Sequence, residues 1–180
     1  RNPFSQKHIV SFAYFTDTQS LDVSYEGEFA NIKDNLNLSF GGRFTSPNSR
    51  INFFGFGNET ENHQDSEGYD YNRLAIQHIS ANVALLRNSN FGSLFKLRAT
   101  FDAYSVASSS GDFISNAELL QQHKFNYFGT IEGIYNYRSL DEVQNPTRGM
   151  VLDLNMGVTD DFEKAEQVFG FIKSMIGVYE

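Results

Sequence analysis

The chain contains no cysteine, which removes a disulfide framework, a thiolate zinc site and a cysteine nucleophile together. Three prolines and 14 glycines among 180 residues are too few for a collagen-like or proline-rich disordered chain. Long apolar runs are also missing. Nothing approaches the roughly 18 consecutive apolar residues of a spanning helix, and the mean hydropathy is -0.40. A helical membrane protein is thereby excluded, but not a membrane β-barrel, whose strands alternate lipid-facing apolar with lumen-facing polar residues and average to a hydrophilic composition. Basic residues are scarce, 14 against 22 acidic for a net charge of -8, and no Arg/Lys stripe is present, so no nucleic-acid partner is expected. The sequence opens Arg1-Asn2-Pro3 without a start methionine or a leader pattern, as expected of a processed or excised chain.

Aromatic residues are abundant, 18 Phe and 9 Tyr, and the patterning has a period of two. Leu21, Val23, Tyr25 and Phe29 alternate with Asp22, Ser24, Glu26 and Glu28, a strand with one oily and one acidic face that no helix would sort so cleanly. The alternation recurs at 36–45, 95–104, 124–138 and 150–159. It is less regular at 7–16, 70–87 and 167–179, where Lys173 places Phe169, Phe171 and Met175 on the inner face. One unit of eight strands over residues 1–180 follows. Runs of ten or more residues exceed the roughly five or six usual for soluble strands and match the roughly 9–11 that cross a bilayer at a tilt. Connections at 31–34, 88–92 and 139–149 read as periplasmic turns, and those at 46–68 and 107–123 as long loops on the other side. Residues 115–122 are the helical candidate.

Few residues suggest chemistry. Glu59, Glu61, Asp65 and Glu67 are weak candidates for a hard-cation site, but their spacing fits no EF-hand register, and a solvated loop is the plainer reading. His8, His63, His78 and His123 are scattered without a zinc-binding spacing, the Ser108-Ser109-Ser110-Gly111-Asp112 loop is no nucleophile elbow, and 52–58 lacks the glycine spacing of a dinucleotide fingerprint. No catalytic residue and no cofactor are expected, and the chain is not expected to be an enzyme. Asp22, Glu26, Glu28, Arg43, Lys96, Arg98, Asp102, Glu132, Arg138, Asp153 and Lys173 all fall on the polar side of their strands. In a barrel they line a wet lumen; in a soluble sandwich they meet bulk water. Aromatic residues ending the oily faces (Phe12 and Tyr14, Phe125 and Tyr127, Tyr135 and Tyr137) match interfacial girdles and favour the barrel.

The segment Tyr137-Arg138-Ser139-Leu140-Asp141-Glu142-Val143-Gln144-Asn145-Pro146-Thr147-Arg148-Gly149 resembles the periplasmic turn of the bacterial surface-antigen barrels of the BamA and TamA type. In that turn an aspartate is followed by a few variable residues and Pro-Thr-(Lys/Arg)-Gly; Asp141, Pro146, Thr147, Arg148 and Gly149 stand at the matching positions. The stretch 52–60, with Tyr71-Asn72-Arg73-Leu74, is similar to the subset whose barrel follows a calcineurin-like phosphoesterase domain. The Arg-Gly-Phe lumen loop of the family has no counterpart here, nor do phosphoesterase motifs, and the family barrel has about sixteen strands.

The resemblance therefore implies an all-β fold, half of an antiparallel transmembrane β-barrel in a bacterial outer membrane. It implies outer-membrane lipid, the remainder of the barrel and other assembly subunits as partners. The implied role is a scaffold for inserting or secreting outer-membrane proteins or attached domains, with any phosphoesterase activity in a domain outside this chain. Two alternatives stay open. One is a complete eight-stranded barrel serving as a pore or adhesion module, closed by pairing of 7–16 with 167–179; the other is a soluble β-sandwich binding module.

Overall fold

The computed structural model describes residues 5–54, 64–89, 92–106, 124–142, 144–163 and 168–180. Its strands are β1 (Ser5–Phe15), β2 (Ser20–Lys33), β3 (Leu36–Asn52), β4 (Arg73–Asn88), β5 (Ser93–Val106), β6 (Asn126–Leu140), β7 (Gly149–Asp161) and β8 (Val168–Tyr179). A single turn of helix, α1 (Gln64–Glu67), precedes β4. The eight strands form one antiparallel sheet in which each pairs with its neighbours in sequence.

The period-two sequence gives this sheet two chemically opposite faces. One row of registered residues runs Val10, Tyr25, Gly42, Ala81, Phe101, Gly129, Asp160 and Val168. With the alternate residues above and below it, such as Val83, Leu97, Ile131 and Ile172, this row makes an apolar face. A step of one residue gives the opposite row, Ile9, Glu26, Gly41, Asn82, Thr100, Thr130, Thr159 and Phe169, on a face that is polar through its middle. Lys7 of β1 and Arg98 of β5 line one common cavity on that side. Flat strands at a spacing of about 4.8 Å would hold those two side chains too far apart, so the polar face is the hollow side of a bowed sheet.

The sheet is not closed. β1 and β8 are its two edges, with no ladder between them, so the expected transmembrane β-barrel is not the fold observed. The complete eight-stranded barrel fails on the same finding, because closure would require β8 to pair with β1. Alternation specifies which face a residue takes, and an open antiparallel sheet with one wet and one dry face obeys the same alternation as a barrel. Strand length says no more: β3 has 17 residues and β1 has 11, both in an open sheet. Outer-membrane localisation, transmembrane strands and a partnership with lipid, the rest of a barrel or assembly subunits came with the barrel reading and are not carried by the open sheet observed. Among the described residues no helix is long and apolar enough to cross a membrane. Of the expected alternatives, the β-sheet binding module agrees with this open sheet better than either barrel does, with its described strands in one sheet where a sandwich has two.

Two turns explain where strands end. Asp34 and Asn35 take φ of 47° and 63°, the left-handed pair that a two-residue hairpin needs, so β2 runs on past the expected turn at 31–34 to Lys33. A register shift between Thr45 and Ser49 absorbs Pro47, and β3 continues to Asn52, pairing Ser49 with Ile76. The loop expected from residue 46 therefore begins later. A bulge takes up the proline that cannot donate to the ladder.

Buried apolar side chains are few. Leu74 and Val106 pack with Phe53 at one end of β3, β4 and β5. Fully buried Asn72 closes that end, its backbone carbonyl accepting from Phe53 N at 2.8 Å and its Nδ2 donating to the Phe53 carbonyl at 3.3 Å. Most large apolar side chains instead stand on the open face or the edges; Phe12 is 70% exposed and Ile172 75%.

Candidate functional site

The polar face holds the charged side chains singled out in the sequence, and register places all eleven on it. Seven of them enter separate hydrogen-bonded groups. On β2 and β3 the Arg43 Nη2 donates to Asp22 Oδ2 at 2.6 Å while its Nε reaches both carboxylate oxygens, and Thr45 Oγ1 donates to Oδ2 at 3.2 Å. Those bonds, the guanidinium's above all, hold the Asp22 carboxyl below the usual carboxylate range and raise the Arg43 pKa in turn. Across β4 and β5, His78 Nε2 lies 2.8 Å from Asp102 Oδ1, and the imidazole stacks on Tyr104 at 4.2 Å between centroids. Burial, then the Asp102 charge, pushes the Tyr104 phenol up.

A second group spans β5, β6 and β7. Glu132, buried at 6% exposure, accepts from Arg98 Nε at 2.5 Å through Oε1 and from Asn155 Nδ2 at 2.9 Å through Oε2. Asn155 Oδ1 is buried and has no partner among the described residues. Asn136 Nδ2 donates to Asp153 Oδ1 at 2.6 Å, and Asn37 Nδ2 to Glu28 Oε1 at 3.3 Å. Glu26, in the middle of β2, is exposed. Arg138 is exposed at the end of β6, and Lys173 on β8 sits with Nζ 5.4 Å from the Phe171 ring centre. Lys96 differs from the rest. It is half-buried, makes no ion pair among the described residues, and its pKa is lowered by burial and then by Arg98, against the opposing pull of Glu132, Glu26 and Glu28.

The turn between β6 and β7 is built on one carboxylate. Asp141 Oδ1 accepts from the backbone N–H of Glu142, Thr147 and Arg148 at 3.0, 3.0 and 2.9 Å, and Oδ2 from the Thr147 hydroxyl at 2.5 Å. The Thr147 hydroxyl and then the Arg148 N–H bring its pKa down from 3.8 to about 2. Asp141 N donates to the Arg148 carbonyl at 3.0 Å, and Pro146, with no N–H of its own, sits inside the loop so closed. Gly149 has φ 138°, and a Cβ there would lie 2.0 Å from the Ser139 carbonyl oxygen. The residues of this turn do structural work.

Of the proposed cation ligands, Asp65 and Glu67 lie on α1 and are exposed, while Glu59 and Glu61 fall outside the described residues, as do the serine loop and the 115–122 helical candidate. Among the described residues no three His, Asp or Glu side chains gather as a metal site. Asp70 is instead bound by Arg50 Nη1 at 2.6 Å. The sequence reading gave no role to His78, Asn82, Tyr104, Asn136 or Asn155. Each stands at a polar-face position, and extending the alternation through the untidy segment 70–87 would have found the first two.

The chain matches no family model. No curated protein and no solved structure matches it either. The resemblance to the surface-antigen barrels is thus not upheld: the Pro-Thr-Arg-Gly turn is a sound local structure, but it stands in an open sheet and brings no family with it. Short turns of this kind recur wherever a carboxylate can collect successive N–H groups, so the motif carried less information than its likeness suggested. The role of insertion or secretion scaffold falls with the barrel.

Proposed function

We propose that this chain is a protein-binding β-sheet module that accepts an extended strand of a partner polypeptide along the β8 edge. The observation that carries this reading is the chemistry of β8 itself. Ile172, Ile176 and Val178 on one side, and Phe169 and Met175 on the other, are all more than half exposed. Lys173 is its one charged residue, and it has no proline. Such a sequence suits a central strand covered on both faces, yet it lies at an edge with none of the usual protections except one lysine. A partner strand would satisfy the outward N–H and C=O groups, and the neighbouring apolar face would seat alternate side chains of that partner. The role is binding and asks no bond-making chemistry of the polar face.

The test is titration with a synthetic ten-residue strand peptide of alternating apolar and polar residues, read by amide exchange. Protection confined to β8, and weakened about tenfold or more by Ile172→Lys with Ile176→Lys, is the expected result. Binding indifferent to those two lysines, or protection of β1 alone, overturns the reading.

A further inference from the structure

We infer that the hollow side of the sheet carries a binding site for a small zwitterion of the amino-acid class, with its carboxylate on Lys96 and its ammonium on Glu26. The site is a cavity of about 230 Å³ that β1 to β5 line together. Three cationic side chains, Lys7, Lys96 and Arg98, and two carboxylates, Glu26 and Glu28, face it. Two of the five are already engaged, Arg98 by Glu132 and Glu28 by Asn37. Lys7, Lys96 and Glu26 make no ion pair among the described residues, although each lines the same space.

Lys96 is the centre of the inference. A half-buried ammonium with no counter-ion pays a desolvation cost that its surroundings do not offset, and the lowered pKa of this lysine reports the same imbalance. A ligand carboxylate would supply the missing charge, with Arg98 beside it as a second cation. An anion alone would sit badly, because Glu26 and Glu28 border the same cavity. A ligand carrying both charges on groups that flank one carbon meets both requirements. Ile9, registered beside Glu26, and Leu86, registered beside Lys96, supply apolar wall at the two sides, so a short aliphatic side chain suits the remaining space. The inference is independent of strand binding at β8, which lies outside this cavity.

Titration with L-leucine, followed by NMR of the Lys96 side chain and the Ile9 and Leu86 methyl groups, tests it. Saturable shifts at all three are expected. N-acetyl-leucine, which lacks the ammonium, and isopentylamine, which lacks the carboxylate, are each expected to bind about tenfold or more weakly. Lys96→Met keeps the stem and should abolish the leucine response; Glu26→Gln, at an exposed position, should weaken leucine while leaving N-acetyl-leucine unchanged. Unchanged Ile131 and Ile172 methyl signals on the far face serve as the control for folding. Absence of a saturable shift, equal binding of leucine and N-acetyl-leucine, or wild-type binding by a folded Lys96→Met or Glu26→Gln protein would overturn the site.

Discussion

The two faces of one sheet differ in how far their interactions are completed within the chain. On the polar face Glu132, Asp22, Asp102 and Asp153 all have partners on the next strand. On the apolar face of the same sheet Val83 and Leu97 are each 47% exposed and Ile131 58%, on one surface that no described residue covers. Fully burying one such side chain is worth roughly 1.5–3 kcal/mol, and each of these, about half exposed, leaves about half of that unrealised. The polar side is held by specific bonds and the apolar side awaits contact. A sheet in this state is stabilised by its ladders and turns more than by a core.

Substitutions can break that comparison. The largest loss is expected from Gly149→Ala, since a Cβ at φ 138° runs into the Ser139 carbonyl; about 3 kcal/mol in urea unfolding is expected, and a loss below about 1 kcal/mol would mean the turn is held otherwise. Glu132→Gln leaves Arg98 without its counter-charge. Because Arg98 is one-third exposed, water screens part of the penalty, and about 2 kcal/mol is expected in the same measurement.

An effect confined to acid follows from Asp141. Its folded pKa, about 2, lies below the 3.8 of the free group, so the turn's stabilisation is full above about pH 4 and is lost as pH falls through about 2. The Thr147 and Arg148 amide resonances should titrate with a midpoint near the lower value; a midpoint at the ordinary carboxylate value would show that the bonds do not form. The smallest effect belongs to the open face. Ile131→Ser should change stability by no more than about 0.5 kcal/mol, whereas a loss of core size would show that the face is covered in the folded chain and would end the comparison.

Much of this arrangement was legible in the residues. The alternation of Asp22, Ser24, Glu26 and Glu28 with Leu21, Val23 and Tyr25 specified faces through residues 21–29 of β2, and Lys173 placed Phe169, Phe171 and Met175 of β8. Closure was not legible, because no single strand carries the difference between a sheet that meets itself and one that ends at Val168–Tyr179. The end of β3 was also not legible: the loop was read from residue 46, but a bulge between Thr45 and Ser49 carries the strand past Pro47 to Asn52. The pairings of Asp102 with His78 and of Glu132 with Arg98 and Asn155 were also out of reach, since they depend on which strands are neighbours and in what register. Asp141 was found through its motif, and its role in gathering N–H groups is local enough to be read from sequence. The family inferred from it was not.

Amide exchange along β7 and β8 in the chain alone tests the open sheet most directly. β7 has a paired strand on each side, so its amides should be slow throughout Gly149–Asp161. β8 is paired on one side, so every second amide in Val168–Tyr179 should exchange fast and the alternate ones slowly. Slow exchange at every β8 amide, with no partner added, would mean that this edge is already paired and would contradict both the open sheet and the strand-binding role built on it.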